Sequence, residues 1–156
     1  MPYAWLVFLH VASVVGFVLA HGASAAMGLR LRRETSPDSI RSLVVLSTLS
    51  TRVMYPFLGL VLLTGIAAGF AGQWWRFKWI WTAIIVLVVT IILMNLMGQQ
   101  YNPLRGEARE RRHRGPVAET PDVIRKVAAS TQPGPISAVG VVAFVILVWL
   151  MAVKPF

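Results

Sequence analysis

Four stretches of this chain, residues 3–28, 53–72, 77–98 and 136–153, consist of apolar, small and a few uncharged polar residues and together hold one permanent charge, Lys78. A helix needs roughly 20 mostly apolar residues to cross the hydrocarbon core of a bilayer. Within that core every backbone N–H and C=O must be satisfied inside the segment, which a helix achieves and an open sheet does not. The expected fold is therefore all-α, a bundle of four transmembrane helices forming one integral membrane domain over residues 1–156. Charged residues make up 13% of the chain, about half the ~25% of a soluble domain. The excess of 15 Lys+Arg over 6 Asp+Glu would fit nucleic acid in a soluble protein. Here the charges fall between the apolar runs, so the bilayer, and not nucleic acid, is the expected partner.

The first run has a small-residue Ala23-Ser24-Ala25 stretch like a signal cleavage site. It lacks a basic leader, however, and Arg30, Arg32 and Arg33 follow as a stop-transfer cluster, so it is expected to remain as a span. Lys and Arg then set the topology. Segment 29–52 carries Arg30, Arg32, Arg33, Arg41 and Arg52, and segment 99–135 carries Arg105, Arg109, Arg111, Arg112, Arg114, Arg125 and Lys126; the opposite side has Arg76, Lys78 and Lys154. The positive-inside rule places both long segments in the cytoplasm and both termini outside, as expected for a protein of the bacterial inner membrane. Trp5, Trp74, Trp75, Trp79, Trp81 and Trp149 fall near the outer boundary, Tyr55 and Tyr101 near the inner one. All six acidic residues are in the cytoplasmic segments. A proton- or cation-coupled transporter usually needs a carboxylate at membrane depth, which argues against that class.

The cytoplasmic segments repeat a pattern: Glu34-Thr35-Ser36-Pro37-Asp38-Ser39-Ile40-Arg41 is similar to Glu119-Thr120-Pro121-Asp122-Val123-Ile124-Arg125. Each reads as a helix start, with Ser36 or Thr120 as cap, proline in the first turn and aspartate at the positive end of the helix dipole. The first such helix can run unbroken into span two, whereas the second is expected to stop at Gln132-Pro133-Gly134-Pro135. Two hairpins of like orientation, a 2+2 pseudo-repeat, would result. The stretch from Arg105 to Arg114 reads as a solvated basic loop that also meets anionic headgroups, with His113 facing solvent.

Ala12, Gly16, Ala20, Ser24 and Gly28 recur every four residues along span one, and Gly65 and Gly69 give span two a GxxxG. Small residues at this spacing let helices approach closely in lipid, either within the bundle or between copies. Pro56 removes a backbone donor within span two and is expected to kink it. With no cysteine in the chain, disulfides, thiolate metal sites, iron–sulfur clusters and thiol nucleophiles are excluded. The remaining candidates for chemistry are His10, His21, Lys78 and Arg52. The histidines are eleven residues apart and share a helix face, but are separated by about 16.5 Å along the axis, so one helix cannot hold one cofactor between them. Met54, Met94 and Met97 are possible partners for His21; Met151, Lys78 or another copy's His10 are possible partners for His10. His/Met and bis-His ligation both occur for haem iron; the alternative is that each imidazole simply bonds a neighbouring helix. Arg52 and Lys78 can be explained by snorkelling to headgroups. Asn95, Gln99 and Gln100 could line a polar headgroup or quinone site. Met94 and Met97 alone make a thin copper site.

Several of these residues together resemble a known superfamily. Trp5-Leu6-Val7-Phe8-Leu9-His10-Val11, the Arg52-Val53-Met54-Tyr55-Pro56 start of span two with Gly65 beyond it, Trp75-Arg76-Phe77-Lys78-Trp79 and the closing Lys154-Pro155-Phe156 resemble small four-helix membrane proteins of the HemJ-type protoporphyrinogen oxidase and CopD-like kind, the nearest being an uncharacterised bacterial family. The resemblance covers all four spans through motifs of three to seven residues. It implies a haem b for which the first-helix histidine and the lysine opening the third helix matter, here His10 and Lys78, with Arg52 as the arginine before the second helix. The chain departs from the enzymes before span four, where Ser130-Thr131-Gln132-Pro133-Gly134-Pro135 replaces an Asn-Glu-Val-Pro-Thr type motif, and this puts porphyrinogen oxidation in doubt.

The sequence thus supports three readings. The first is a non-catalytic or weakly redox-active bundle that binds haem b, a related tetrapyrrole or a quinone and serves a membrane electron-transfer assembly. The second is a cofactor-free accessory subunit whose small-residue stripes pack against a copy of itself or a larger complex. The third is a HemJ-like oxidase passing electrons to quinone.

Overall fold

The computed structural model of the protein describes residues 2–99, 102, 128–129 and 132–155. Among them the fold is all-helical: α1 (Pro2–Leu31), α2 (Pro37–Ala71), a short 3₁₀ turn (Trp74–Arg76), α3 (Lys78–Gly98) and α4 (Pro133–Val153). All four long helices have the length and apolar content needed to cross a membrane. The burial pattern is that of a chain dissolved in lipid. Leu19 and Phe70 are each 69% exposed and Leu63 is 67% exposed, while the buried set is short and includes small residues such as Ala68, Ala83 and Ala143. In water such an apolar surface would drive aggregation; in a bilayer it is the solvated face. The protein is a multi-pass membrane protein.

The helix boundaries follow from local chemistry, with differences from the sequence reading. Ser36 is the N-cap residue of α2, but its hydroxyl makes no capping bond. The Glu34 carboxylate instead accepts from the backbone N–H groups of Thr35 and Ser36, at 3.1 and 3.2 Å. Pro37 occupies the first turn, where its missing N–H costs nothing, and Asp38 pairs with Arg41 one turn on at 2.9 Å. From there α2 runs 35 residues into the membrane with Pro56 inside it and no break in the helix. Gln132 is the N-cap residue of α4 and Pro133 opens it, where proline is tolerated, so span four begins three residues before the expected Ile136; the helix expected to stop at this run lies almost wholly outside the described residues. Tyr101, Gln100, the Thr120 helix start, the 105–114 basic loop, His113, Arg125 and Lys126 lie outside the described residues.

The helices pair as two antiparallel hairpins. α1 lies along α2 through most of its length, α3 lies against α4, and α1 also touches α4; the 3₁₀ turn joins α2 to α3. Both chain ends sit at the same end of the bundle as that turn. Tyr3 meets the Trp74 ring edge-on at 5.9 Å, and the Lys154 ammonium stands 5.1 Å above Trp74 and 5.7 Å above Trp79. Trp75 adds contacts to Phe70 and Trp81, so all four helices meet in one aromatic layer. At the far end, Leu31, Ile40, Val44 and Ala128 form a small buried cluster that closes the α1–α2 connection.

Candidate functional site

Three polar residues of α1 at membrane depth, His10, His21 and Ser24, meet α2, and their partners fall in antiparallel register. Moving from the aromatic end inward, His10 meets Thr64, Gly16 meets Phe57, His21 meets Met54, and Ser24 meets Ser47 and Thr51. Gly16 sets this approach: a Cβ there would fall 2.6 Å from Cδ1 and 2.7 Å from Cζ of Phe57. Ser13, also on α1, is buried and donates back to the Leu9 carbonyl at 2.7 Å.

His10 is half-buried, with Nδ1 at 3.1 Å from Oγ1 of Thr64. The direction of that bond follows from the rest of the network. The Thr64 hydroxyl has a single proton and donates it to the Leu60 carbonyl one turn back on α2. It can therefore only accept from the imidazole, so His10 carries its proton on Nδ1 and keeps the lone pair on Nε2. Gly65 completes the seat, since a Cβ there would stand 3.1 Å from Cε1 of the ring. Gly65 thus serves the histidine as well as helix packing, and Gly69, one turn on, does the same for the Trp75 ring at 3.1 Å.

His21 is also half-buried and stacks on Phe17 of its own helix, with centroids 5.7 Å apart and planes within 2°. Its Nδ1 lies 3.3 Å from Sδ of Met54. Its Nε2 is turned toward α4, where it would stand 3.4 Å from a Cβ on Gly140.

The other residues singled out from sequence occupy different places. Lys78 is exposed at the start of α3, beside the aromatic layer and on the same end of the bundle as His10. Arg52 is exposed on α2, twelve residues from Thr64, a rise of about 18 Å along the helix. It shares no depth with His10 and lies close to the level of Met54 and Thr51. Within the small-residue stripe, Gly16, Ala20, Ser24 and Gly28 are half-buried and Ala12 is exposed. Asn95 and Gln99 are exposed near the end of α3, and Met97 is half-buried there.

Thr64, Phe57 and Gly140 were not singled out in advance. Thr64 is the one Ser or Thr in the apolar run 53–72, and that isolation was the available signal. Among the described residues there is no cluster of three or more His, Cys, Asp or Glu able to hold a metal ion. Trp75 Nε1 is buried without a hydrogen-bond partner among the described residues. Compared with known proteins, the chain matches no family model, no curated protein and no solved structure.

Proposed function

We propose that this integral membrane protein holds a haem b or closely related tetrapyrrole with His10 as an iron ligand, as a small component of a membrane electron-transfer assembly. One observation carries the reading: Thr64, its own proton committed to Leu60, fixes His10 as the Nδ1–H tautomer and leaves Nε2 as the ligating atom. A histidine that binds a metal through one nitrogen ordinarily donates its other N–H to an oxygen, which orients the ring and raises its basicity. Gly65 keeps the ring tight against α2, so its direction is set before any ligand arrives. When bound, the haem would supply one-electron chemistry at iron. The chain's own part is to orient the imidazole, exclude water with its apolar helices, and offer the Lys78 ammonium, at the same end of the bundle, to a carboxylate-bearing edge. Arg52 is too far along α2 to share that group.

A second reading rests on a different observation. His10, His21 and Ser24 each have an α2 partner, and side-chain hydrogen bonds between helices are a common means of association in lipid. On that reading the protein is a cofactor-free accessory subunit, self-associating or held in a larger complex. The two are separated by visible spectra of the protein purified from cells supplied with haem, oxidised and dithionite-reduced. A Soret band that is present in wild type, lost in His10→Ala and kept in His21→Ala supports ligation at His10. A wild-type protein with no Soret band refutes it and leaves the structural reading.

A further inference from the structure

At the end of the bundle opposite the aromatic layer, α1 and α2 border an open cavity of about 350 Å³, lined by Arg30 of α1, Glu34 of the connection, and Asp38, Ser39, Ser42 and Leu43 of α2. It holds charges of both signs that do not neutralise one another. Arg30 has no ion pair among the described residues. Glu34 is kept from it by its part in the turn, where Oε1 accepts from the N–H groups of Thr35 and Ser36, and this leaves Oε2 for a ligand. Asp38 lends Oδ1 to Arg41 while its side chain stays almost wholly exposed. A cation and two carboxylates therefore stand apart in the wall of one cavity, together with two serine hydroxyls.

That wall selects its ligand. An anion alone would meet the carboxylates, and a cation alone would meet Arg30. A molecule carrying both a phosphate and a primary ammonium satisfies both sets through charge-assisted hydrogen bonds. The depth of the cavity points to a lipid. The apolar run 3–28 is about 39 Å long as a helix, against about 30 Å for the hydrocarbon core and about 40–45 Å with the headgroups included. Arg30, two residues beyond the run, thus comes level with the headgroups. The face of α2 changes character at the same place. Ser39 and Ser42 are followed at steps of three and four residues by Leu46, Leu49 and Val53, which share that side of the helix and are all exposed. Hydroxyls at headgroup level and apolar side chains below them match the order of groups in a phospholipid, and a soluble zwitterion would gain nothing from the apolar part.

We propose that this cavity binds one phosphatidylethanolamine molecule, with its phosphate on Arg30 and Ser39, its ammonium on Glu34 and Asp38, and its acyl chains along Leu46, Leu49 and Val53. The site shares no residue with the His10 seat and does not rest on the haem reading.

The full chain, purified in detergent and stripped of lipid, is titrated with dioleoyl phosphatidylethanolamine, phosphatidylcholine or phosphatidylglycerol, and the first bound lipid is followed by native mass spectrometry. Wild type is expected to bind the ethanolamine lipid about tenfold more tightly than either of the others, the equivalent of one hydrogen bond to a charged group. The choline headgroup has no N–H to donate and the glycerol headgroup has no cation. Arg30→Gln should weaken the ethanolamine and choline lipids alike, because both carry the phosphate. Glu34→Gln with Asp38→Asn should abolish the preference for ethanolamine over choline; the glutamine still offers an oxygen to the Thr35 and Ser36 N–H groups, so the turn is kept. Arg33→Gln, which removes an exposed charge outside the cavity, should bind as wild type does. Equal binding of the three lipids by wild type overturns the proposal, and so does a preference that survives the Glu34→Gln, Asp38→Asn variant. Displacement of the lipid by an equimolar amount of soluble glycerophosphoethanolamine would overturn the lipid as occupant and leave a site for the free headgroup.

Discussion

The ring of Phe57 on α2 occupies the space into which a side chain on Gly16 of α1 would grow, with Cδ1 only 2.6 Å from the position of a Cβ. Gly16 lies between the His10–Thr64 and His21–Met54 contacts, so this one close approach holds both histidines in register with α2. Lipid offers little hydrophobic drive for helices to pair, and the pairing depends on such backbone proximity.

Gly16→Ala should therefore separate the hairpin locally, at a cost of about 1–3 kcal/mol, the range for forcing a methyl into filled space. Thermal unfolding in detergent, followed by helix circular dichroism, checks the loss. Phe57→Leu, which removes the ring, should restore most of it in the double variant, and an additive double variant would show that the two residues do not meet.

Replacing Thr64 should act on His10 at Nδ1 without touching its Nε2 side. In 15N-labelled apo protein, the imidazole of His10 should give the pattern of the neutral Nδ1–H tautomer. Thr64→Val should shift it toward the Nε2–H form, and Thr64→Ser should leave it as it was. In a haem-loaded preparation the same Thr64→Val change should alter the reduction potential of the haem while leaving a Soret band in place. A tautomer pattern indifferent to Thr64→Val would show that the hydroxyl does not set the ring.

Much of the fold was legible because length and apolarity alone decide which segments can cross a bilayer. Boundaries were less so. Proline favours a first turn and breaks an interior one, so the Gln132-Pro133-Gly134-Pro135 run can close one helix and open the next, and α4 takes in three residues ahead of the apolar run that marked span four. Ser36 was correctly placed at a cap, yet its hydroxyl makes no capping bond, and Glu34, two residues earlier, instead accepts from the N–H groups of Thr35 and Ser36 just ahead of the helix. The histidines stood out as intramembrane ionisable residues. Their partners did not, because the register of α1 on α2 depends on where Gly16 meets Phe57, a tertiary fact with no local signature. Met54, Met94 and Met97 were equal candidates for His21 until that register placed Met54 beside its Nδ1.

The polar seam continues below His21, where Ser24 Oγ lies 2.9 Å from Ser47 Oγ and 3.5 Å from Thr51 Oγ1. Interhelical bonds of this kind contribute about 0.6 kcal/mol on average in a membrane protein. Ser24→Ala should cost about that much, and Ser24→Val more, since a branched side chain would also crowd α2. A double-mutant cycle of Ser24→Ala with Ser47→Ala, read by unfolding in detergent, should return a coupling of the same size; zero coupling would mean that the contact contributes nothing.

The absence of cysteine from the chain makes topology directly testable. The contacts of Tyr3 and Lys154 with Trp74 put both termini and the α2–α3 turn at one end, and the positive-inside rule assigns that end to the outside. Single cysteines at Gln73 and Pro155 should react with a membrane-impermeant maleimide in intact cells. One at Ser36, between α1 and α2, should react only after the membrane is opened. Labelling of Gln73→Cys and Ser36→Cys from the same side would contradict the four-span arrangement, whereas labelling of Ser36→Cys alone in intact cells would keep the arrangement and invert it. In that case the twelve basic residues of the two long connections would face outward, and something other than loop charge would have to orient the protein.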